Sequence, residues 1–187
     1  MQSVTIVIPA PYSSSGSPNK PLADVLGKPM IQHVYDKAKS VRNASVVVVT
    51  DDNRVLSVVE EFGGKGILNI LDHSSGADRL VEVMNEVEAD LYIDLQGDEP
   101  LVCSDDIEML INVMRSDESI EVGTLYHSIN ERQAQDPNTV KVVTSHSGRA
   151  CYFSRSPIPF IRNNDVQINY KQHVGVYAYR KSVLERY

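Results

Sequence analysis

Short apolar runs alternate with stretches of helical period through the first half of the chain, and this alternation restricts the possible fold more than any other feature. Val4 to Pro9 is a β-branched run. From Met30 to Val41 the residues Ile31, Val34, Ala38 and Val41 fall at helical spacing, and Ser45 to Thr50 (SVVVVT) is nearly all valine. Asn53 to Phe62 repeats the helical pattern with Val55, Val58, Val59 and Phe62 inward, and Gly66 to Leu71 is the next strand. Ala77 to Val87 carries Leu80, Val83, Met84 and Val87 on one face, and DLYIDL forms a fourth strand that ends at Gln96. Strands that are apolar throughout and joined by helices of about ten residues predict a mostly parallel sheet covered on both faces, a three-layer α/β sandwich. Ligands of such sheets lie beyond the carboxyl ends of the strands, so the loops of interest begin near Ala10, Asp51, Asp72 and Gln96.

The second half differs. A helix from Asp105 to Met114, capped by Ser104, turns Ile107, Leu110, Ile111 and Met114 inward. After it, EVGTLYHSI, TVKVVTSHSGRACYFSR and HVGVYAYR read as strands, with SHSG as a hairpin turn and SRSPIPFIRNND as a proline-broken loop. No internal repeat interrupts the chain. Its 187 residues, 42% of them apolar, suit one domain over 1–187. A net charge of −7 with no run of like charges gives no electrostatic footprint for a nucleic acid polymer or a membrane surface. Cys103 and Cys151 stand far apart and outside any CxxC pattern, which fits a reduced cytosolic compartment rather than a disulfide framework or a zinc site. The N-terminus lacks a basic n-region and no apolar run approaches the ~20 residues of a membrane span, so a cytoplasmic protein is expected.

The strongest local signal is LYIDLQGDEP, in which a buried strand delivers Gln96, Gly97, Asp98 and Glu99 to the sheet edge. A hard cation such as Mg²⁺ takes one or two carboxylates together with phosphate oxygens, and Asp98 is placed to give one. A solvated acidic turn before Pro100 accounts for the same residues. In IPAPYSSSGSPNKPL, the backbone N–H groups of a small-residue turn and the Lys20 ammonium could line an anion, although the Walker A spacing is lacking and an ordinary connector has this composition too. DHSSGADRL opens a helix with Ser74 or Ser75 as cap and Arg79 about one turn in, which suits a nucleotide contact or a plain N-cap. YFSRSPIP supplies Arg155. His173 sits in a β-like run, where a lone histidine is more often packed or exposed than catalytic.

Taken in order, IPAPYSSSGSPNKPLADVLGKPMIQHV, DHSSGADRL, LQGDEPL, DPNTVKVV, YFSRSPIPF and KQHVGVYAYRKSVLERY resemble the 3-deoxy-manno-octulosonate cytidylyltransferase family over essentially the whole chain. That resemblance implies a nucleotide-diphospho-sugar-transferase-like α/β fold whose β-rich second half joins a homodimer. It also implies Mg²⁺-dependent transfer of CMP from CTP to the acidic sugar Kdo, with loss of pyrophosphate, for lipopolysaccharide-type glycoconjugates. By position, Lys20 and the loop amides would hold the triphosphate, Ala10, Ser75 and Arg79 would surround the nucleotide, and Asp98 would ligate Mg²⁺. Gln96, Arg155 and His173 would address the sugar, Arg155 through its carboxylate. Two departures stand out. The family reads Ile-Pro-Ala-Arg and Arg-Leu-Pro-Gly-Lys in the loop, so Pro11 and Gly16 replace two arginines and Asn19 replaces a glycine. Relatives also continue past the position of Tyr187 with elements that carry a second metal-binding aspartate. The alternative to a cytidylyltransferase is therefore a catalytically impaired relative that binds sugar or nucleotide.

Overall fold

The computed structural model describes residues 2–14, 17–69, 76–162 and 168–186. They form two compact units, Met1–Gly123 with Val176–Tyr187, and Thr124–Gly175.

The first unit is built on β1 (Val4–Pro9), a strand buried along its whole length. It pairs in parallel with β2 (Ser45–Thr50) on one side and with β4 (Leu91–Leu95) on the other, and β3 (Gly66–Leu68) adds in parallel beyond β2. Val176–Arg180, the C-terminal half of the strand Tyr170–Arg180, lies antiparallel to β4 with Val176 opposite Leu95 and Arg180 opposite Leu91. The mostly parallel sheet expected from the sequence is thus mixed. Valine and isoleucine dominate because both faces are covered, which leaves no solvent side for an alternating polar residue. On one face Val7, Val47, Val49, Ile67 and Tyr92 pack with Leu80 and Val83 of α3 (Gly76–Val83) and with Leu184 near the C-terminus. Their neighbours Ile6, Ile8, Val46, Val48, Ile93 and Leu95 point the opposite way and are also buried.

The other helices of this unit are α1 (Met30–Lys39), α2 (Asn53–Glu61) and α4 (Ser104–Ser116). Their buried residues are mostly the ones the periodicity selects: Ile31, Val34 and Ala38; Val55 and Val59; Ile107, Leu110, Ile111 and Met114. Tyr35 is buried as well although the period passes over it, and Val58 and Phe62, expected inward, are only half-buried. Two expectations need correction. Ser104 is the first helical residue of α4 rather than its cap; the N-cap is Cys103, which makes no side-chain cap bond, and Asp105 and Asp106 complement the dipole of the first turn. The helix expected to reach Val87 ends at Val83, and Asn85 and Glu86 instead donate three residues back, to Glu82 and Val83. The buried Tyr92 hydroxyl secures this turn by donating to Val87 O (2.8 Å) and accepting from Ala89 N (2.9 Å). The caps proposed at Ser74 or Ser75, and the end of the third strand beyond Asn69, lie outside the described residues.

In the second unit, Lys141–Thr144 and Ala150–Ser154 form an antiparallel hairpin. The expected SHSG turn closes it, with Ser145 N donating to Arg149 O at 2.8 Å and Gly148 at φ +85°. Lys141 also pairs with Gln172. A short helix at Glu131–Ala134, not expected from the sequence, is closed by a capping box between Asn130 and Gln133. The Lys141 ammonium is buried and donates to the carbonyls of Asp136 (3.0 Å), Thr139 (2.7 Å) and Arg155 (2.5 Å). Among the described residues no helix is long and apolar enough to cross a membrane.

Candidate functional site

β1 and β4 are neighbours in the sheet, so their carboxyl ends open side by side. Gly97 N donates to Pro9 O at 3.2 Å, and a Cβ at residue 97 would stand 2.6 Å from that oxygen. Only glycine allows the two strand exits to approach this closely. Around the crossing lies a pocket of about 90 Å³ lined by Pro9, Ala10, Pro11, Lys20, Pro21, Gln96, Gly97 and Asp98. Ala10 is held by its N–H to Val49 O (2.8 Å), and Tyr12 N donates to the Asp51 carboxylate (2.8 Å), which ties the start of the opening loop to the exit of β2.

The loop returns at Asn19, whose φ of 67° lies in the left-handed region and whose N–H donates to Tyr12 O (2.9 Å). Asparagine tolerates this conformation better than most side chains do, which suits it to this turn. Lys20 follows in a one-turn helix with Pro21 and reaches the Asp98 carboxylate at 2.6 Å. Both side chains are more than two-fifths exposed, so a ligand can reach either of them. Burial, and then the charge of Asp98, push the Glu99 carboxyl above its ordinary range. Among the lining residues Asp98 is the carboxylate of the pocket edge and Lys20 its cation. Arg54 stacks 3.6 Å from the Tyr12 ring centroid beside the loop, but its guanidinium is committed to both oxygens of Asp52 (2.9 and 2.6 Å) and holds that carboxyl at about 2.

Asp94 lies two residues before Gln96, on the sheet face shared with Val7 and Tyr92. It is 3% exposed. Gln96 Nε2 donates to its Oδ2 at 3.3 Å, while Oδ1 has no hydrogen-bond partner among the described residues. Burial pushes this carboxyl up to about 6, opposed by the positive charge of Arg79.

Of the residues singled out in the sequence, Ala10, Lys20, Gln96 and Asp98 gather around the pocket. Arg79 sits in α3, with its charge felt at Asp94, and Ser75 lies outside the described residues, as does Gly16. Arg155 and His173 belong to the second unit. There Arg155 Nη1 donates to Pro137 O (3.0 Å), His173 Nε2 is hydrogen-bonded to Thr124 Oγ1 (2.9 Å), and the His173 ring stands edge-on to Phe153 at 5.0 Å. Burial lowers the proton affinity of His173, which favours the neutral imidazole. Among the described residues no group of three or more His, Cys, Asp or Glu could by itself hold a metal ion. Sequence reasoning marked Asp51 only as the start of a loop and overlooked Asp94. An acidic residue inside the five-residue apolar strand LYIDL was the available signal for Asp94; Asp51 was marked by its place after the valine strand, but nothing local shows its bond to Tyr12 N.

A parallel α/β layer with a lysine–carboxylate pair beside a glycine-tightened strand crossing, at the carboxyl edge of the sheet, defines a nucleotide-handling enzyme fold of the nucleotidyltransferase kind. By comparison with known proteins, the chain belongs to the cytidylyltransferase family, whose profile matches residues 5–187, and within it to the 3-deoxy-manno-octulosonate cytidylyltransferases. The enzyme of that name from Escherichia coli is 54% identical over 188 residues, covering all of this chain and 76% of the relative. That from Syntrophus aciditrophicus is 40% identical over 192 residues, again covering all of this chain and 77% of the relative. Among solved structures, a CMP:2-keto-3-deoxy-manno-octonic acid synthetase complexed with CTP superposes with a TM-score of 0.93 at 54% identity, over 99% of this chain and 77% of that one. A cytidylyltransferase from Leptospira borgpetersenii, 17% identical with a TM-score of 0.66, shares the fold. The α/β architecture expected from the resemblance is the one found.

Proposed function

We propose that this chain transfers CMP from CTP to the anomeric hydroxyl of Kdo, releasing pyrophosphate. The observation that carries this reading is the Lys20–Asp98 pair, 2.6 Å apart, at the mouth of the pocket between the ends of β1 and β4. In the reaction the anomeric oxygen attacks the α-phosphorus, the bond to the β-phosphate oxygen breaks, and the hydroxyl proton is lost. Such a displacement asks the protein for in-line placement of two anions and for charge neutralisation rather than for a covalent intermediate.

Lys20 and the loop amides beginning at Ala10 hold the triphosphate, with Ser75 and Arg79 around the nucleotide. Gln96, Arg155 and His173 address the sugar, Arg155 as a fork for its carboxylate. Lys20 is tethered to Asp98 in the free protein, so phosphate oxygens compete with that carboxylate for the ammonium. Asp98, an exposed carboxylate at the pocket edge, is suited to Mg²⁺. When bound, the ion would supply neutralisation of phosphate charge. The β-rich second unit serves a homodimer, and the protein works in the cytoplasm.

The test is pyrophosphate release on mixing the protein with Mg²⁺, CTP and Kdo. Turnover that Asp98→Asn abolishes supports the assignment. No release at high protein concentration, with either ligand still bound measurably, points to a binding relative. That second reading draws on Pro11, which lines the pocket where the family places an arginine.

A further inference from the structure

Asp94 is an anomaly in an otherwise apolar strand. Its strand neighbours Leu91, Tyr92, Ile93 and Leu95 are fully buried, and the residue opposite it on β1 is Val7. On its other side it faces Tyr177, an antiparallel pair. A leucine would fill this position without stranding a polar atom, whereas the carboxyl buries Oδ1 with no partner among the described residues. Buried polar atoms left in that condition oppose folding and gather where a function requires them. Among the described residues the one side-chain hydrogen bond of Asp94 is accepted from Gln96 Nε2 at 3.3 Å, and Gln96 lines the pocket. This bond draws the N–H₂ end back toward the strand and so favours one orientation of the Gln96 amide, with its oxygen toward the pocket.

We propose that Asp94 is a positioning residue for the Gln96 side chain, fixing the orientation in which that amide meets a hydroxyl of the acidic sugar. The inference rests on the assignment of Gln96 to the sugar and goes beyond it by naming what orients the amide. Asp94 itself touches no substrate. Its contribution is the acceptor oxygen, so asparagine should replace it and leucine should not.

Sugar dissociation constants by calorimetry in the presence of CTP, together with KM and kcat, would be measured for the wild type, Gln96→Ala, Asp94→Leu, Asp94→Asn and the Asp94→Leu/Gln96→Ala double variant. Asp94→Leu is expected to weaken sugar binding about tenfold, the equivalent of one neutral hydrogen bond. CTP binding and kcat should stay within about twofold, and the melting temperature should not fall, because an orphaned buried oxygen is removed. Asp94→Asn should restore sugar binding, and in the double variant the leucine should add nothing to the effect of Gln96→Ala. A loss of sugar binding in Gln96→Ala but none in Asp94→Leu overturns the Asp94 role while leaving Gln96 in place. Additive losses in the double variant, or an Asp94→Asn protein as weak as the leucine variant, overturn it equally. Unchanged binding in Gln96→Ala removes Gln96 from the sugar and the inference with it. Binding is read without turnover, so an inactive but sugar-binding protein still decides the question, and Asp94→Asn decides it through the same constants if the leucine variant does not fold.

Discussion

Single side chains in this protein reveal their tasks by what surrounds them. Asp94 binds its proton more tightly in the folded chain than in the unfolded one, since burial pushes its carboxyl from 3.8 to about 6. Folding therefore takes up a proton between these values, and the wild type loses stability as pH rises through this window, by up to about 3 kcal/mol. Asp94→Asn lacks that titration. Its thermal stability relative to the wild type should be unchanged near pH 4 and higher above pH 7, which calorimetric scans across pH would check. Gly97 is constrained sterically. An alanine there places Cβ 2.6 Å from Pro9 O, so Gly97→Ala should cost about 1–3 kcal/mol in denaturant titrations and weaken CTP binding by separating the strand exits. Lys141 presents the opposite case, a buried charge whose donors are satisfied by three carbonyls. Lys141→Met leaves those acceptors bare, and a loss of about 2–4 kcal/mol is expected for the second unit.

Among the elements, the strands and helices of the first unit could be read from the sequence because the strands are unbroken apolar runs and the helices between them carry a 3.6-residue period. Val4–Pro9 and Ser45–Thr50 came out with their full extent for that reason. Ends were harder to read. The shortening of the third helix to Val83 depends on the Tyr92 hydroxyl, five residues beyond Val87, and the capping of α4 by Cys103 depends on backbone shape rather than on a side-chain acceptor. The pocket was legible only in part. LQGDEP and the opening loop each announced a strand exit, but the contact between them is set by sheet order, which joins residues about ninety positions apart and leaves no local trace. The opening loop also carries its own prediction. Pro11 lines the pocket without a charge, so Pro11→Arg should tighten CTP binding by about tenfold or more, a charge-assisted phosphate contact being worth about 1.5–3 kcal/mol. Isothermal titration at fixed Mg²⁺ would measure it.

On the scale of the whole molecule, the second unit keeps much apolar surface in contact with solvent: Tyr126, Tyr152 and Phe153 are 47%, 64% and 38% exposed. Tyr152 and Phe153 lie in a strand exposed along nearly its entire length. Surface of this kind on a small β-rich unit suits a partner, and a second copy of the chain is the expected one. Sedimentation equilibrium should find a dimer, and Tyr152→Glu should shift it toward monomer; a wild-type monomer at high protein concentration would count against the assignment. The first unit is discontinuous, since Val176–Arg180 completes its sheet only after fifty-two intervening residues, Thr124–Gly175, have been made. During synthesis β4 must therefore wait with an open edge while the second unit emerges from the ribosome. Chains stopped before residue 176 should aggregate or recruit chaperones, which makes the pairing of Val176–Arg180 the step that closes the open edge of β4.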